Sequence, residues 1–236
     1  MRAGFVLGSM RLMKRISASL AALVGALVLA ATVSAGGTDL VTVKNFPDFG
    51  VVGTPISLTF KVWVPSEEPL RGVHPVVHAT NENGREIRTD AKAITTLDHY
   101  TATLTFPEAG DWIIVFDTEY KNAAKMPPLK VIAPGAPHPS ALPLAAQGLR
   151  LFRIKGCNGC HIHPDVKDGD SYAPDLTDLR LSASYLRKFL ADPSIRKAPE
   201  LVCSRDGSRC GSPYDMPSLD LKKPEIEALV AFLTTK

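Results

Sequence analysis

The sequence predicts a multidomain protein in which an all-β sandwich is followed by an all-α domain. Between residues 38 and 132, apolar and polar residues alternate in short runs separated by turn-forming residues, which is the pattern of half-buried β-strands. After residue 143, apolar residues recur at the three- and four-residue spacing of short helices. Residues 133–143 contain four prolines and predict a semi-rigid extended linker between the two domains.

The strand pattern is clearest in residues 56–64, 100–106 and 112–116. Turn signals separate the runs at Asn83-Gly84 and at residues 107–110. About six or seven short strands in this length of chain predict an antiparallel sandwich of immunoglobulin-like type over residues 38–132.

One motif in this region adds a family resemblance. Residues 106–112, which read FPEAGDW, and the strand after them resemble the end of the small sandwich domains called YtkA-like or FixH-like. The resemblance implies an exported or membrane-tethered protein of metal or respiratory metabolism.

The sandwich region itself has a poor set of metal ligands. No cysteine precedes the linker, which excludes a blue-copper or dinuclear copper centre there. His74 and His78 are four residues apart, and such positions on one strand lie about 13 Å apart, too far to share an ion. We therefore expect a metal-free module, and a copper site formed by His74, His78 and the more distant His99 is the alternative.

The first 35 residues predict export. Four basic residues, the last of them Arg15, precede an apolar stretch from Ile16 to Val33, and the small residues Ser34 and Ala35 offer a cleavage point. This is the pattern of a signal peptide. An uncleaved membrane anchor is the alternative, because the stretch is nearly long enough to span a bilayer. Either way, we expect the rest of the chain to be periplasmic or otherwise extracytoplasmic.

The most specific motif is the C-x-x-C-H run at residues 157–161. In an exported chain this is the attachment signature of one covalent haem c, in which Cys157 and Cys160 reach the two vinyl groups of a porphyrin and His161 binds the iron. Half of a zinc site and a redox dithiol are the alternatives. The other two cysteines lack the spacing of a second zinc knuckle, and no βαβ unit flanks the motif as a redox dithiol requires.

The sixth iron ligand is predicted by elimination to be Met216. It is the only methionine after Met126, and His163 is too close to His161 in the chain to reach the opposite face of the haem. A thioether ligand favours ferrous iron and raises the reduction potential. A five-coordinate or water-bound iron, suited to peroxidase or gas-binding chemistry, is the alternative.

Three short helices are predicted around this motif. The first begins near Pro143 and has Gly148 and Phe152 on one face. A glycine inside a helix is most easily explained by a second helix that crosses close to it, and the last helix, which starts near Pro224, has the apolar face for this. A third helix ends before Pro193.

This part of the chain resembles the small monohaem cytochromes c of class I type. The resemblance covers residues 144–236 and rests on Gly148, the C-x-x-C-H run, the sequences APDL and YDMP at residues 173–176 and 214–217, and the final helix. It implies an all-α cytochrome c domain whose first and last helices cross at the glycine. It also implies that the carbonyl of Pro174 accepts a hydrogen bond from the proximal imidazole.

The remaining cysteine pair predicts a disulfide. Cys203 and Cys210 bracket an Asp-Gly turn, and this spacing suits a bridge that closes a short hairpin just before Met216. Two free thiols are the alternative.

Charge and motif content narrow the function. The chain has 27 Lys and Arg, of which four lie in the leader, so that 23 remain against 24 Asp and Glu and the formal net charge becomes −1. This balance argues against a nucleic-acid partner. The sequence contains neither a glycine-rich phosphate loop nor a nucleophile elbow. We therefore predict an electron-transfer protein, not an enzyme, that works between a donor and an acceptor protein of respiratory or dehydrogenase type. A cytochrome subunit of a larger exported oxidoreductase complex is the alternative.

Overall fold

The computed structural model describes most of the chain after the leader: residues 39–64, 70, 72–94, 98–120, 123–166, 173–178, 180–196, 202–203, 210–211 and 215–235. For residues 202–203 and 210–211 it describes the backbone alone. The predicted signal peptide or anchor, residues 1–35, lies outside the described residues. No helix in the described ranges is long and apolar enough to cross a membrane. The residues from Thr38 onward belong to one compact unit.

Two sheets form the first part of this unit. Its strands are β1 (Leu40–Val43), β2 (Phe49–Val51), β3 (Pro55–Trp63), β4 (Val76–Asn81), β5 (Glu86–Asp90), β6 (Lys92–Ala93), β7 (His99–Thr105), β8 (Gly110–Asp117), β9 (Ala123–Lys125) and β10 (Leu129–Ile132). One sheet has the order β1-β3-β7-β6. The other has the order β2-β10-β8-β4-β5, with β9 paired to β8. All pairs are antiparallel except β2 with β10.

The two sheets enclose a common core. Phe60 of β3 packs edge-on against Phe116 of β8 with ring centroids 4.6 Å apart, and Phe106 packs against Trp112 at 5.2 Å. The three runs of strict alternation correspond to β3, β7 and β8, so the prediction of strands there is confirmed. The sandwich has more strands than the sequence predicted, because β2, β6 and β9 are only two or three residues long and too short to show an alternation.

Three helices follow among the described residues: α1 (Leu144–Ile154), α2 (Ala183–Ala191) and α3 (Lys223–Thr234). A short hairpin of β11 (Val202–Cys203) and β12 (Cys210–Gly211) lies between α2 and α3. Helices α1 and α3 cross at Gly148, where an added Cβ would lie only 2.0 Å from the carbonyl oxygen of Ala228. The prediction that the last helix crosses at this glycine is therefore confirmed.

The predicted fold class is nevertheless wrong in its second half, because the described residues after the sandwich do not form an all-α domain. This segment contains the β11–β12 hairpin, and α1 packs on the sandwich: Ile154 belongs to the sandwich core. The Arg150 guanidinium lies 4.9 Å from the Phe46 ring and donates to the carbonyls of Pro47 and Pro128. The described chain is thus predominantly β, with three helices packed into the same unit. Helical periodicity identifies an apolar face but not the element that covers it.

Candidate haem-binding site

The C-x-x-C-H loop begins where α1 ends. Gly156 adopts a left-handed conformation with φ of 76°, which glycine tolerates without steric cost, and the chain then enters a 3-10 turn over Cys157–Gly159. The carbonyl of Cys157 accepts hydrogen bonds from the amides of Cys160 and His161, at 3.2 and 2.9 Å. This tight turn holds the two thiols and the imidazole together at the end of α1.

The imidazole of His161 is oriented by a backbone carbonyl. Its Nδ1 lies 2.8 Å from the carbonyl oxygen of Pro174, the contact that the family resemblance implied. A carbonyl only accepts hydrogen bonds, so Nδ1 has the proton and Nε2 keeps a free lone pair. Burial lowers the pKa of His161, and the hydrogen bond to Pro174 opposes this only in part. The neutral ring with a free Nε2 is the form that binds a metal.

An apolar pocket that opens to solvent lies beside this imidazole. Side chains from all three helices and from the loops between them line it: Phe152, Cys157, His161, Leu176, Leu181, Leu186, Phe189, Leu190, Met216, Leu229 and Leu233. The sulfur-bearing side chain predicted as the sixth ligand therefore lies in the same cavity as the proximal histidine.

His163, the histidine that the sequence argument set aside, lies elsewhere. It is buried between the rings of Phe152 and Phe232, with centroids 5.9 and 4.3 Å away, and its Nδ1 accepts a hydrogen bond from the amide of Asp165. Burial lowers its pKa. This histidine does not line the cavity, and its role is to pack the crossing of α1 and α3.

The surroundings of the Cys157 thiol disfavour a thiolate in the absence of a metal. Burial and, to a smaller degree, the neighbouring Cys160 raise the pKa of this thiol to about 12. Zinc sites and redox dithiols use thiolates, whose pKa is lowered by nearby positive charge or by a helix N-terminus. Cys157 instead follows the C-terminus of α1, in apolar surroundings.

The second cysteine pair is described only by its backbone. Cys203 and Cys210 are directly opposite each other in the antiparallel β11–β12 pair. Directly opposed residues have Cα atoms about 4.5 to 5.5 Å apart, and disulfides span that distance. Because the two side chains lie outside the described residues, the disulfide stays a prediction.

The sandwich histidines form contacts with carboxylates. Nδ1 of His78 lies 2.9 Å from Oε1 of Glu86, and Nδ1 of His99 lies 2.8 Å from Oδ1 of Asp98. Within the described ranges no three His, Cys, Asp or Glu side chains are grouped closely enough to hold a metal ion.

Residues of β1, which were not among the predicted site residues, contact the C-x-x-C-H loop, residues 156–161, called the attachment loop below. Thr42 donates a hydrogen bond to the carbonyl of Lys155 at 3.2 Å, and its hydroxyl accepts one from Nε1 of Trp63 at 3.1 Å. Lys155, itself buried, pairs with Glu225 at the start of α3 across 2.9 Å. More than a hundred residues separate Thr42 from Lys155, so no local pattern could have indicated the contact.

Neither a family model nor a curated protein matches this chain. The solved structures that resemble part of it include three from different proteins. Escherichia coli alpha-2-macroglobulin matches with 13% identity and a TM-score of 0.33, over 41% of this chain and only 6% of its own. A superoxide reductase (neelaredoxin) from Ignicoccus hospitalis matches with 12% identity and a TM-score of 0.29, over 44% and 88%. A conjugative transposon lipoprotein from Bacteroides eggerthii matches with 14% identity and a TM-score of 0.24, over 37% and 92%. These similarities are too low to support a statement about function.

Proposed function

We propose that this protein is an exported c-type cytochrome that carries one electron at a single covalent haem c between a donor and an acceptor protein. One observation supports this most directly: Cys157, His161 and Met216 line the same apolar cavity, and the carbonyl of Pro174 accepts the hydrogen bond from Nδ1 of His161, which leaves Nε2 available for a metal.

Each residue has a distinct part in this proposal. Cys157 and Cys160 hold the porphyrin through thioether bonds, while His161 and Met216 are the axial ligands. When bound, the haem supplies a one-electron couple between ferric and ferrous iron. The hydrogen bond to Pro174 makes the imidazole more basic, which favours ferric iron, whereas the neutral thioether of Met216 favours ferrous iron. The apolar side chains exclude water from the cavity and so raise the potential of the site.

Covalent haem is the primary test. The full chain, expressed with an export and haem-attachment system, should keep one haem after denaturation, and Cys157→Ala or Cys160→Ala should reduce or abolish this retention. A zinc-loaded or haem-free wild type would contradict the proposal. Stable co-purification with a fixed enzyme partner would instead make the protein a subunit of a larger oxidoreductase complex.

Ligation by Met216 is tested separately. We expect a low-spin six-coordinate spectrum with a weak sulfur-to-iron band in the far red. Met216→Leu keeps the volume of the side chain and should abolish this band and lower the potential. Leu233→Ala, which changes the same cavity without removing a ligand atom, is the matched control and should keep the band. Ready binding of carbon monoxide by the native wild type would show an open iron and contradict a Met216 ligand.

A further inference from the structure

Strand β1 lies at the edge of its sheet, and the attachment loop lies against it. In the sheet order β1-β3-β7-β6, one side of β1 has no strand partner among the described residues. Edge strands expose backbone groups on that side, and proteins commonly cover them with a loop or helix. Here the covering segment includes the C-x-x-C-H loop itself.

Two glycines of the loop have no space for a side chain because of this contact. A Cβ on Gly156 would lie 2.7 Å from the carbonyl oxygen of Val41, and a Cβ on Gly159 would lie 2.0 Å from Cδ2 of Leu40. The backbone of the loop therefore approaches β1 on both sides of Cys157.

Thr42 adds a directional bond to this packing. A hydroxyl has one proton to donate, and the Thr42 hydroxyl gives it to the carbonyl of Lys155 while it accepts from the indole of Trp63. The Lys155 carbonyl lies just beyond α1, where carbonyls lack an intrahelical partner. The sandwich thus supplies a hydrogen bond that the end of this helix needs.

Two hydrogen bonds hold the turn between Lys155 and His161. The carbonyl of Gly156 accepts from the amide of Gly159 at 3.0 Å, and the carbonyl of Cys157 accepts from the amide of His161 at 2.9 Å. Because Lys155 directly precedes this turn, we expect a displacement of Lys155 to change the orientation of the turn and of the His161 imidazole.

From these contacts we infer that Thr42 is a positioning residue for the haem, and that β1 holds the attachment loop in place. The inference rests on the proposed function and assigns the sandwich a part in the redox site itself. A looser loop weakens the hydrogen bond between His161 and Pro174, which makes the imidazole a weaker donor and raises the reduction potential.

The test compares two substitutions in the full chain as purified. Thr42→Val keeps the branched shape and removes the hydroxyl, whereas Thr42→Ser keeps the hydroxyl. We expect Thr42→Val to speed hydrogen exchange of the amides at residues 156–161 by about fivefold, the size of one lost hydrogen bond. In haem-loaded protein it should also raise the potential, and Thr42→Ser should restore both values.

A glycine pair tests the packing independently of the hydroxyl. Gly156 and Gly53 have the same φ of 76°, but a Cβ on Gly53 would have no atom within 4 Å. Both substitutions to alanine therefore cause similar backbone strain. We expect Gly156→Ala alone to speed exchange in the attachment loop, and Gly53→Ala to leave it unchanged.

The outcomes separate the two proposals. Unchanged hydrogen exchange and potential in Thr42→Val, or equal effects of the two glycine substitutions, would contradict the role of Thr42 and β1. Covalent haem in the wild type would still support the proposal of a c-type cytochrome. Absence of haem would contradict the cytochrome proposal, and the exchange measurements would still show whether β1 holds the loop.

Discussion

The sandwich and the helical segment differ in how their cores are filled. In the sandwich, large side chains close the core by themselves, since Phe60, Phe106, Trp112 and Phe116 are almost completely buried. In the helical segment, the described core residues surround an apolar pocket that opens to solvent beside His161. Side chains alone fill the core of the sandwich, whereas the pocket in the helical segment is where we propose that the haem binds.

The largest expected effect is that of removing the haem. In full-length Cys157→Ala/Cys160→Ala protein without haem, we expect the sandwich to keep a cooperative melt while α2 and α3 lose protection from hydrogen exchange. The reason is that too little apolar surface is buried around an empty cavity. Native-like protection of the α2 amides from hydrogen exchange in the haem-free protein would show that the helical segment, like the sandwich, folds without a ligand.

The helix crossing is the next most sensitive point. Gly148→Ala normally favours a helix, but here the new Cβ would meet the backbone carbonyl of Ala228, which cannot move aside. We expect a loss of about 3 kcal/mol in the stability of the helical segment, from overpacking. Denaturant titration followed by haem absorbance measures it, and tryptophan fluorescence of the sandwich should report a smaller change. Stabilisation by Gly148→Ala would mean that α1 and α3 do not cross there in solution.

The hairpin before Met216 tests the second cysteine pair. If Cys203 and Cys210 are bridged, neither should react with a thiol reagent before reduction. A closed loop of this length contributes roughly 2 to 3 kcal/mol. We expect reduction to loosen the Met216 ligand, seen as loss of the far-red band, before the sandwich melts. Two reactive thiols in exported, unreduced protein would rule out the disulfide.

The ion pair between Lys155 and Glu225 joins the end of α1 to the start of α3. Burial by itself raises the pKa of Glu225, but the hydrogen bonds from Lys155 and from the Lys222 amide, with the two positive charges, outweigh it and leave the pKa below its ordinary value of 4.5. The carboxylate therefore stabilises the fold above that pH, and the contribution is lost as the pH falls through the lowered pKa. We expect Glu225→Gln to cost about 2 kcal/mol at neutral pH, because it leaves Lys155 buried without a charge partner.

The neighbouring residue Glu227 provides the control for this effect. It pairs with Arg187 at 2.9 Å, but the two side chains are 48% and 35% exposed to solvent. Surface pairs of this kind contribute little to stability. The loss of unfolding free energy caused by Glu225→Gln should disappear below the lowered pKa of Glu225. Glu227→Gln should change the unfolding free energy very little at every pH. Equal effects of the two substitutions would mean that the Lys155 pair is not buried in solution.

The elements that could be predicted are those that a local pattern determines. Alternation predicted β3, β7 and β8, and the three-and-four spacing predicted the three helices. Gly148 predicted a crossing helix because a glycine inside a helix is unfavourable by itself, and a closely packed second helix explains its presence. The prediction of a separate all-α domain was wrong because Ile154 looks like an ordinary apolar helix residue in the sequence. No sequence pattern indicates that Ile154 packs into the sandwich.

The sequence by itself determined which reactive side chains the candidate site contains. The two thiols, the imidazole and the single methionine after the linker are local facts of residue type and spacing, and the haem proposal needs little else. The tertiary structure alone decided what surrounds that chemistry. Thr42 and Lys155 are 113 residues apart, and Lys155 and Glu225 are 70 apart in the printed sequence. Contacts at such separations arise from the packing of whole elements, and only the folded chain brings the edge of the sandwich against the attachment loop.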